Sequence, residues 1–406
     1  MIKHVTSPRV VLLYLTTFLL ELGVAVKTPL LGQLKSEFGI SALHAGLITS
    51  SFGLARLMLD LPMGVFVDRI SGKRLLAGGS LCVLWGSILS GLTPSFHGLL
   101  LGQWLIGAGF GLFSTTVIVS LCRLSTSEDR GRTLSVFGAS FWAGGFLGPA
   151  VGGTIASIAG WRAAFLFSVF TSSLALALTI AGSKLTLSVA ALQRDTINEG
   201  LNGSLPQALA SHPSGNLTSL SAINLATCLL LFLGNGFRET FIPLYGHSIL
   251  KLSPAMIGMA ISIGPIVQAG ANLVYGVLLD RYGGRAVLIP GLIIMGLGSL
   301  SLKMATNLPT LAVTNAILGV GNSSNIAVLA LLTDHIPPTR WGVTMGLNRA
   351  IGDMGVMLGP AALGWLIDRS GFTLPILFGA ALAWLGAAIV SIATKELPHW
   401  TQDQPS

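Results

Sequence analysis

Charge is scarce in this chain. Only 9% of its 406 residues are Asp, Glu, Lys or Arg, against 52% hydrophobic, where a water-soluble domain carries about 25% charged residues. So few charges cannot cover a water-facing surface, and most of the surface must therefore face lipid. Cysteine is scarce as well. Cys82, Cys122 and Cys228 form an odd, scattered set that offers neither a disulfide framework nor metal-ligand spacing. The sequence has no phosphate-binding loop, zinc signature or nucleophile elbow. It therefore reads as a chain without enzymatic activity, cofactor or ATP-driven chemistry of its own.

What it does have is long apolar runs. A membrane-crossing helix takes about 20 mostly apolar residues, and twelve such runs are expected, at roughly 10–32, 42–67, 75–93, 97–121, 133–157, 163–183, 219–247, 254–279, 286–305, 309–333, 342–367 and 373–394. The first is too long for a signal-peptide core and reads as a retained helix. With the N-terminus placed inside, 14 Lys and Arg fall on inner segments and 6 on outer ends, with Arg56, Arg238 and Arg349 inside runs. That bias predicts both termini in the cytoplasm. It also accounts for the net charge of +8 without nucleic acid as a partner. Compact size and short tails point to a bacterial inner membrane.

The chain also repeats itself. Gly64-Val-Phe-Val-Asp68-Arg69-Ile-Ser-Gly72-Lys73-Arg74 returns 212 residues later as Gly276-Val-Leu-Leu-Asp280-Arg281-Tyr-Gly-Gly284-Arg285. Gly107-Ala-Gly109 pairs with Gly319-Val-Gly321, and Gly148-Pro149 with Gly359-Pro360. A half-chain repeat in a membrane protein predicts two similar bundles that rock about a site between them. The boundaries expected are a bundle over 1–183, a polar cytoplasmic linker over 184–218 and a second bundle with a short tail over 219–406.

The doubled loop, twelve spans and long middle linker resemble the major facilitator superfamily over almost the whole chain. Gly144-Gly-Phe-Leu-Gly148-Pro149-Ala-Val-Gly152-Gly153 is similar to the Gly-x-x-x-Gly-Pro-x-x-Gly-Gly pattern of its proton-coupled exporters. The resemblance implies an all-α fold of two six-helix bundles related by a pseudo-twofold axis, and drug/proton antiport by alternating access. One departure is that Gln103 stands where such exporters usually carry an arginine, which puts their mode of coupling in question here. Gly364-Trp-Leu-Ile-Asp368-Arg369 mimics the loop motif at the wrong end of segment 11 and reads as a decoy. Gly160-Trp161-Arg162 reads as an outer-surface anchor.

Ionisable residues inside a bilayer are costly and usually paired or functional. Arg56 and Asp60 in segment 2, and Arg349 and Asp353 in segment 11, are both spaced i,i+4 on one helix face. The family places these helices side by side. Crossed pairs, Asp60 with Arg349 and Arg56 with Asp353, are expected to close the cytoplasmic side; two intrahelical pairs are the alternative. Arg69, Lys73, Arg74, Arg281 and Arg285 are expected to pair across the cytoplasmic face, with Asp68 and Asp280 near helix termini.

Glu21 sits near mid-membrane in segment 1, and Arg238 and Glu239 precede Pro243 in segment 7. Glu21, then Glu239, is the expected proton or cationic-substrate site. Arg238 either holds an anion or neutralises Glu239. Lys27 is expected to snorkel outward. Gln103, Asn235, Gln268, Asn272, Asn322 and Asn325 form the expected polar lining, with Trp85, Trp104, Phe141 and Trp142 as candidate aromatic surface. The expected partners are a small-molecule substrate, protons and the lipid bilayer, with one chain sufficient for the pathway. Metabolite uptake, and a non-transporting sensor or assembly partner, stand as alternatives.

Overall fold

The computed structural model describes the backbone of residues 7–126, 129–186, 217–336 and 341–394, and the side chains of these except 60–69, 183–186, 217, 335 and 341–343. The expected linker over 184–218 and the tail after 394 lie almost wholly outside the described residues. Among those described there is no strand, and twelve helices are long and apolar enough to cross a membrane. They are α1 Pro8–Phe38, α2 Ala42–Arg69, α3 Gly72–Leu92, α4 Phe96–Leu124, α5 Arg130–Ala159 and α6 Trp161–Thr186. The second set is α7 Thr218–Ser248, α8 Pro254–Tyr282, α9 Gly284–Met304, α10 Leu308–Asp334, α11 Trp341–Ser370 and α12 Thr373–Ala393.

The two sets pack alike. In the first, α1 lies against α5 and α6, α2 against α4, and α3 against α4 and α6. In the second, α7 lies against α11 and α12, α8 against α10, and α9 against α10 and α12. Adding six to every label converts one list into the other. The halves meet through α2–α11 and α5–α8, pairs that the same operation exchanges. This is the two-bundle, pseudo-twofold helical fold.

Local chemistry bends the helices. In α1 the regular helix ends at Ala25, a 3₁₀ turn covers Thr28–Leu30, and helix resumes to Phe38. Gly39, at φ 60°, then terminates it. In α7 a π-turn spans Phe237–Phe241, with the Ile242 N–H reaching back to the Phe237 carbonyl. Pro243 lacks an N–H and crowds the carbonyl four residues before it, that of Glu239. Widening the turn relieves that crowding, and single π-turns of this kind concentrate at functional sites. In α8, Pro265 leaves the Ile261 carbonyl without its helical donor. The Asn315 amide supplies one at 2.8 Å.

The halves touch at one end and part at the other. A Cβ on Gly46 of α2 would lie 3.0 Å from the Ala361 Cα, and one on Gly364 of α11 would lie 3.0 Å from the Leu43 Cα. Across the second interface, a Cβ on Gly153 of α5 would meet the Ala255 Cα at 3.2 Å, and one on Gly258 of α8 the Ala150 Cα at 3.3 Å. Five turns further along the same helix faces, 18 residues away, Gly276 and Gly346 have no neighbour among the described residues within 4 Å of a Cβ. The space between the bundles is therefore sealed at the end opposite the loop motifs, and among the described residues α8 parts from α5 toward the loop-motif end. Apolar side chains of both halves complete the seal: Leu30, Leu34, Ile48 and Trp161 cluster with Leu244, with Ile367 and Phe372 packed against them. Trp161 is 3% exposed, so it is part of this packing and not the expected surface anchor.

Candidate functional site

Between the halves, beneath the seal, lies a cavity of about 240 Å³. Among the described residues, six charged side chains reach it: Glu21 and Lys27 from α1, Arg56 from α2, Arg238 and Glu239 from α7, and Asp353 from α11. Phe52, Phe110, Phe141 and Trp142 form a connected aromatic wall, with ring centroids 6.0, 6.1 and 5.6 Å apart along the series.

Four of the six charges are paired. Arg56 Nη2 lies 3.1 Å from Asp353 Oδ1, an ion pair between the halves. The expected partner pair is outside view, because the Asp60 side chain lies outside the described residues. Arg349 approaches Thr115 Oγ1 of α4 at 3.4 Å. The Arg56–Asp353 pair joins α2 to α11 at the cavity wall. Glu239 accepts a hydrogen bond from Thr28 Oγ1 at 2.8 Å across the halves and one from Arg238 Nε at 3.3 Å, so Arg238 neutralises its neighbour.

Glu21 and Lys27 remain. Neither makes a hydrogen bond or an ion pair among the described residues. Gly144 and Gly145 of α5 leave room for Glu21, since a Cβ on Gly145 would sit 3.4 Å from Glu21 Oε1. The glycine motif of α5 thus serves α1 through Gly144, Gly148 and Gly152, and α8 through Gly153. Pro149 lies against Gly258 of α8 and at the cavity wall. Lys27 does not snorkel. Its side chain is 4% exposed with Nζ 4.5 Å from the centroid of the Phe52 ring, because α1 continues eleven residues past it and holds it at depth.

The expected polar lining divides. Asn235 and Asn322 line the cavity, and Gln268 and Asn322 line a small side pocket of about 20 Å³. Gln103, Asn272 and Asn325 line neither. Gln103 is fully buried between α3 and α4, where it donates to Ser90 Oγ at 3.1 Å. Phe141 and Trp142 face the cavity, whereas Trp85 is 58% exposed on the outside of the bundle.

The loop motifs behave differently from expectation where they are described. The side chains of Gly64, Asp68 and Arg69 lie outside the described residues. Gly72 opens α3 against α4, and Lys73 and Arg74 are exposed. Arg285 donates to the Ser391 and Thr394 carbonyls at 2.9 and 3.4 Å, capping the carboxyl end of α12, where a cation complements the helix dipole. Arg281 stacks on its neighbour Tyr282 at 5.3 Å, Asp280 is exposed, and Gly284 packs on Leu331. Among the described residues, Arg281 and Arg285 contact their own half.

The supposed decoy is a structural joint. Asp368 accepts from the Ala42 and Leu43 N–H groups at 2.8 and 2.7 Å, so its carboxylate caps α2 from the other half. At the pseudo-equivalent corner, Ser157 of α5 accepts from the Ala255 N–H of α8 at 2.9 Å. The Gly-x-x-x-Asp-Arg spacing was the available signal. Here it marks a carboxylate that meets a neighbouring helix terminus. Asp368→Asn is expected to weaken the seal by about 1.5–3 kcal/mol, the worth of a charge-assisted bond. A cysteine placed at buried Ala45, with the three native cysteines replaced, should then react faster with an impermeant thiol reagent. An unchanged rate would remove Asp368 from the seal.

Residues 13–252 and 225–406 match the sequence profile of the Major Facilitator Superfamily. The chain belongs to this superfamily. It is a multi-pass integral membrane transporter. It is 27% identical over 367 residues to an uncharacterised MFS-type transporter of Methanocaldococcus jannaschii, covering 89% of this chain and 92% of that one. It is 22% identical over 387 residues to the quinolone resistance protein NorA of Staphylococcus aureus, covering 95% and 96%. Among solved structures, a bacterial homologue of the human lysosomal transporter Spinster, inward-facing and occupied, superposes with a TM-score of 0.79 at 16% identity, covering 98% of this chain and 99% of that one. A peptide transporter, POT, superposes at 0.75 and 17%, covering 94% and 93%. At these identities the structural likeness is one of fold.

Proposed function

We propose that this superfamily transporter is a secondary active exporter that exchanges protons for a small amphipathic molecule by alternating access. Glu21 is the proton-carrying group. The observation that carries this reading is that Glu21 alone among the cavity carboxylates has no ion-pair or hydrogen-bond partner. Asp353 and Glu239 are each held by an arginine, which ties up their charge. An unpaired carboxylate in a cavity sealed on one side is free to take a proton or a cationic group in turn. The Lys and Arg distribution supports a cytoplasmic position for the loop-motif end, and on that reading the cavity in this conformation faces the compartment from which an exporter loads. The distant similarity to NorA supports that direction. Uptake of an organic anion held by Arg238 is less well supported, since Glu239 already occupies that guanidinium. The setting is a bacterial plasma membrane, with both termini cytoplasmic and a single chain as the working unit.

Each charge crossing the membrane contributes about 2.3 kcal/mol per 100 mV. One proton exchanged for a neutral molecule therefore sustains a substrate gradient of about 50-fold at ~100 mV. In proteoliposomes, Glu21→Gln is expected to collapse that gradient toward unity while passive exchange of labelled substrate continues. A Glu21→Gln protein that still drives substrate uphill on a pH gradient would overturn the assignment.

A further inference from the structure

The paired and unpaired charges of the cavity define a substrate class, which rests on the transport reading above. Arg56 is matched by Asp353 and Arg238 by Glu239. The two charges left over, Glu21 and Lys27, are of opposite sign, line the same cavity and stand six residues apart on α1. That spacing is about 9 Å of helix rise. They lie beyond ion-pair distance of one another, so neither satisfies the other. We propose that the cavity binds an aromatic ampholyte. Its ammonium group is held by Glu21, its carboxylate by Lys27, and its ring by the wall of Phe52, Phe110, Phe141 and Trp142.

A buried ammonium without a hydrogen-bond acceptor is costly unless something arrives to pair with it. The Phe52 face at 4.5 Å offsets part of that cost, because the face of an aromatic ring attracts cations. It leaves all three donors of Lys27 unmatched. A ligand carboxylate satisfies them. Bonds of this charge-assisted kind are roughly twice as strong as neutral ones.

The aromatic wall supplies an apolar surface of rings set at angles to one another in the same cavity as the two charges. A cavity of about 240 Å³ is slightly smaller than the ~300 Å³ at which pockets for drug-sized ligands begin. It therefore admits a molecule of one or two rings, with its charged groups on opposite sides of the ring system. A cation without a carboxylate leaves Lys27 unmatched, and an anion without an amine leaves Glu21 unmatched.

The test is equilibrium binding to the full-length transporter in lipid nanodiscs, by calorimetry and without any gradient. Three probes share one ring: 4-(aminomethyl)benzoate, its methyl ester, which is a cation only, and its N-acetyl derivative, which is an anion only. The ampholyte is expected to bind the wild type about tenfold or more tighter than either blocked form, one charged contact being lost in each. Lys27→Gln should cancel the advantage over the ester, with the ester itself bound at least as tightly as by wild type. Lys27→Arg should preserve the preference, which separates charge recognition from a folding defect. Glu21→Gln should cancel the advantage over the N-acetyl form.

The proposal is overturned if the ester binds the wild type as tightly as the ampholyte does, if Lys27→Gln weakens all three probes equally, or if none of the three binds. Because no gradient is applied, these outcomes are independent of proton exchange. Coupling through Glu21 can fail in vesicles while the charge preference stands, and the reverse.

Discussion

Gly258→Ala is expected to abolish the sealed conformation and transport with it. The added Cβ would come within 2.9 Å of the Pro149 carbonyl carbon and 3.3 Å of the Ala150 Cα. These are backbone atoms of α5, so no side chain can swing aside and the two helices must separate. Overpacking of this kind costs about 1–3 kcal/mol. With tenfold per ~1.4 kcal/mol, the sealed population falls by roughly 10- to 100-fold, and Gly258→Val should be worse. Spin labels at Thr154 and Met259, on a background lacking Cys82, Cys122 and Cys228, would report the change as a shift to longer distances across α5 and α8. Unchanged distances, with normal transport, would mean that the glycine contact does not set the closed state.

Arg56→Ala is expected to lower the stability of the fold. Its partner Asp353 has a side chain only 5% exposed, against 20% for Arg56, so truncating the arginine removes an ion-pair partner from a buried carboxylate at the wall of the cavity. Breaking a buried pair from one side costs about 3–5 kcal/mol, whereas replacing both members with apolar residues of similar volume is often neutral. The single variants Arg56→Ala and Asp353→Ala should therefore unfold several degrees earlier in a thermal assay. The double variant Arg56→Met with Asp353→Leu should recover most of the loss, and the swap Arg56→Asp with Asp353→Arg should recover part of it. Additive losses in both double variants would mean that the two side chains act independently and that the 3.1 Å contact carries little energy.

Reading the sequence alone led furthest where a pattern is repeated. Twelve apolar runs and a duplicated loop fix helix number and internal symmetry, because lipid demands continuous helices and the repeat relates them. The meeting of Arg56 with Asp353 could be reasoned from matched i,i+4 spacing on helices that the family places together. Lys27 could not. It follows an apolar run and precedes Thr28-Pro29, which looks like a helix end. The chain instead makes a single 3₁₀ turn there and continues to Gly39, which carries Lys27 inward. Gln103 misleads for another reason. An amide in an apolar helix can face water or a neighbour, and only the position of Ser90, set by α3 packing, decides between them. Asp368 sits at a helix end that hydropathy would leave in solvent. Its role depends on where α2 begins in the other half, which no local pattern encodes.

The two corners of the seal are unequal. Asp368 grips α2 with two charge-assisted bonds, while Ser157 holds α8 with one neutral bond, about half as strong per contact. A door fastened this way does not lift evenly but unbuttons from its weaker edge. That edge belongs to α5, the helix whose glycines cradle Glu21, so the first movement of an opening transporter would be felt at the carboxylate before it reached any other charge in the chamber.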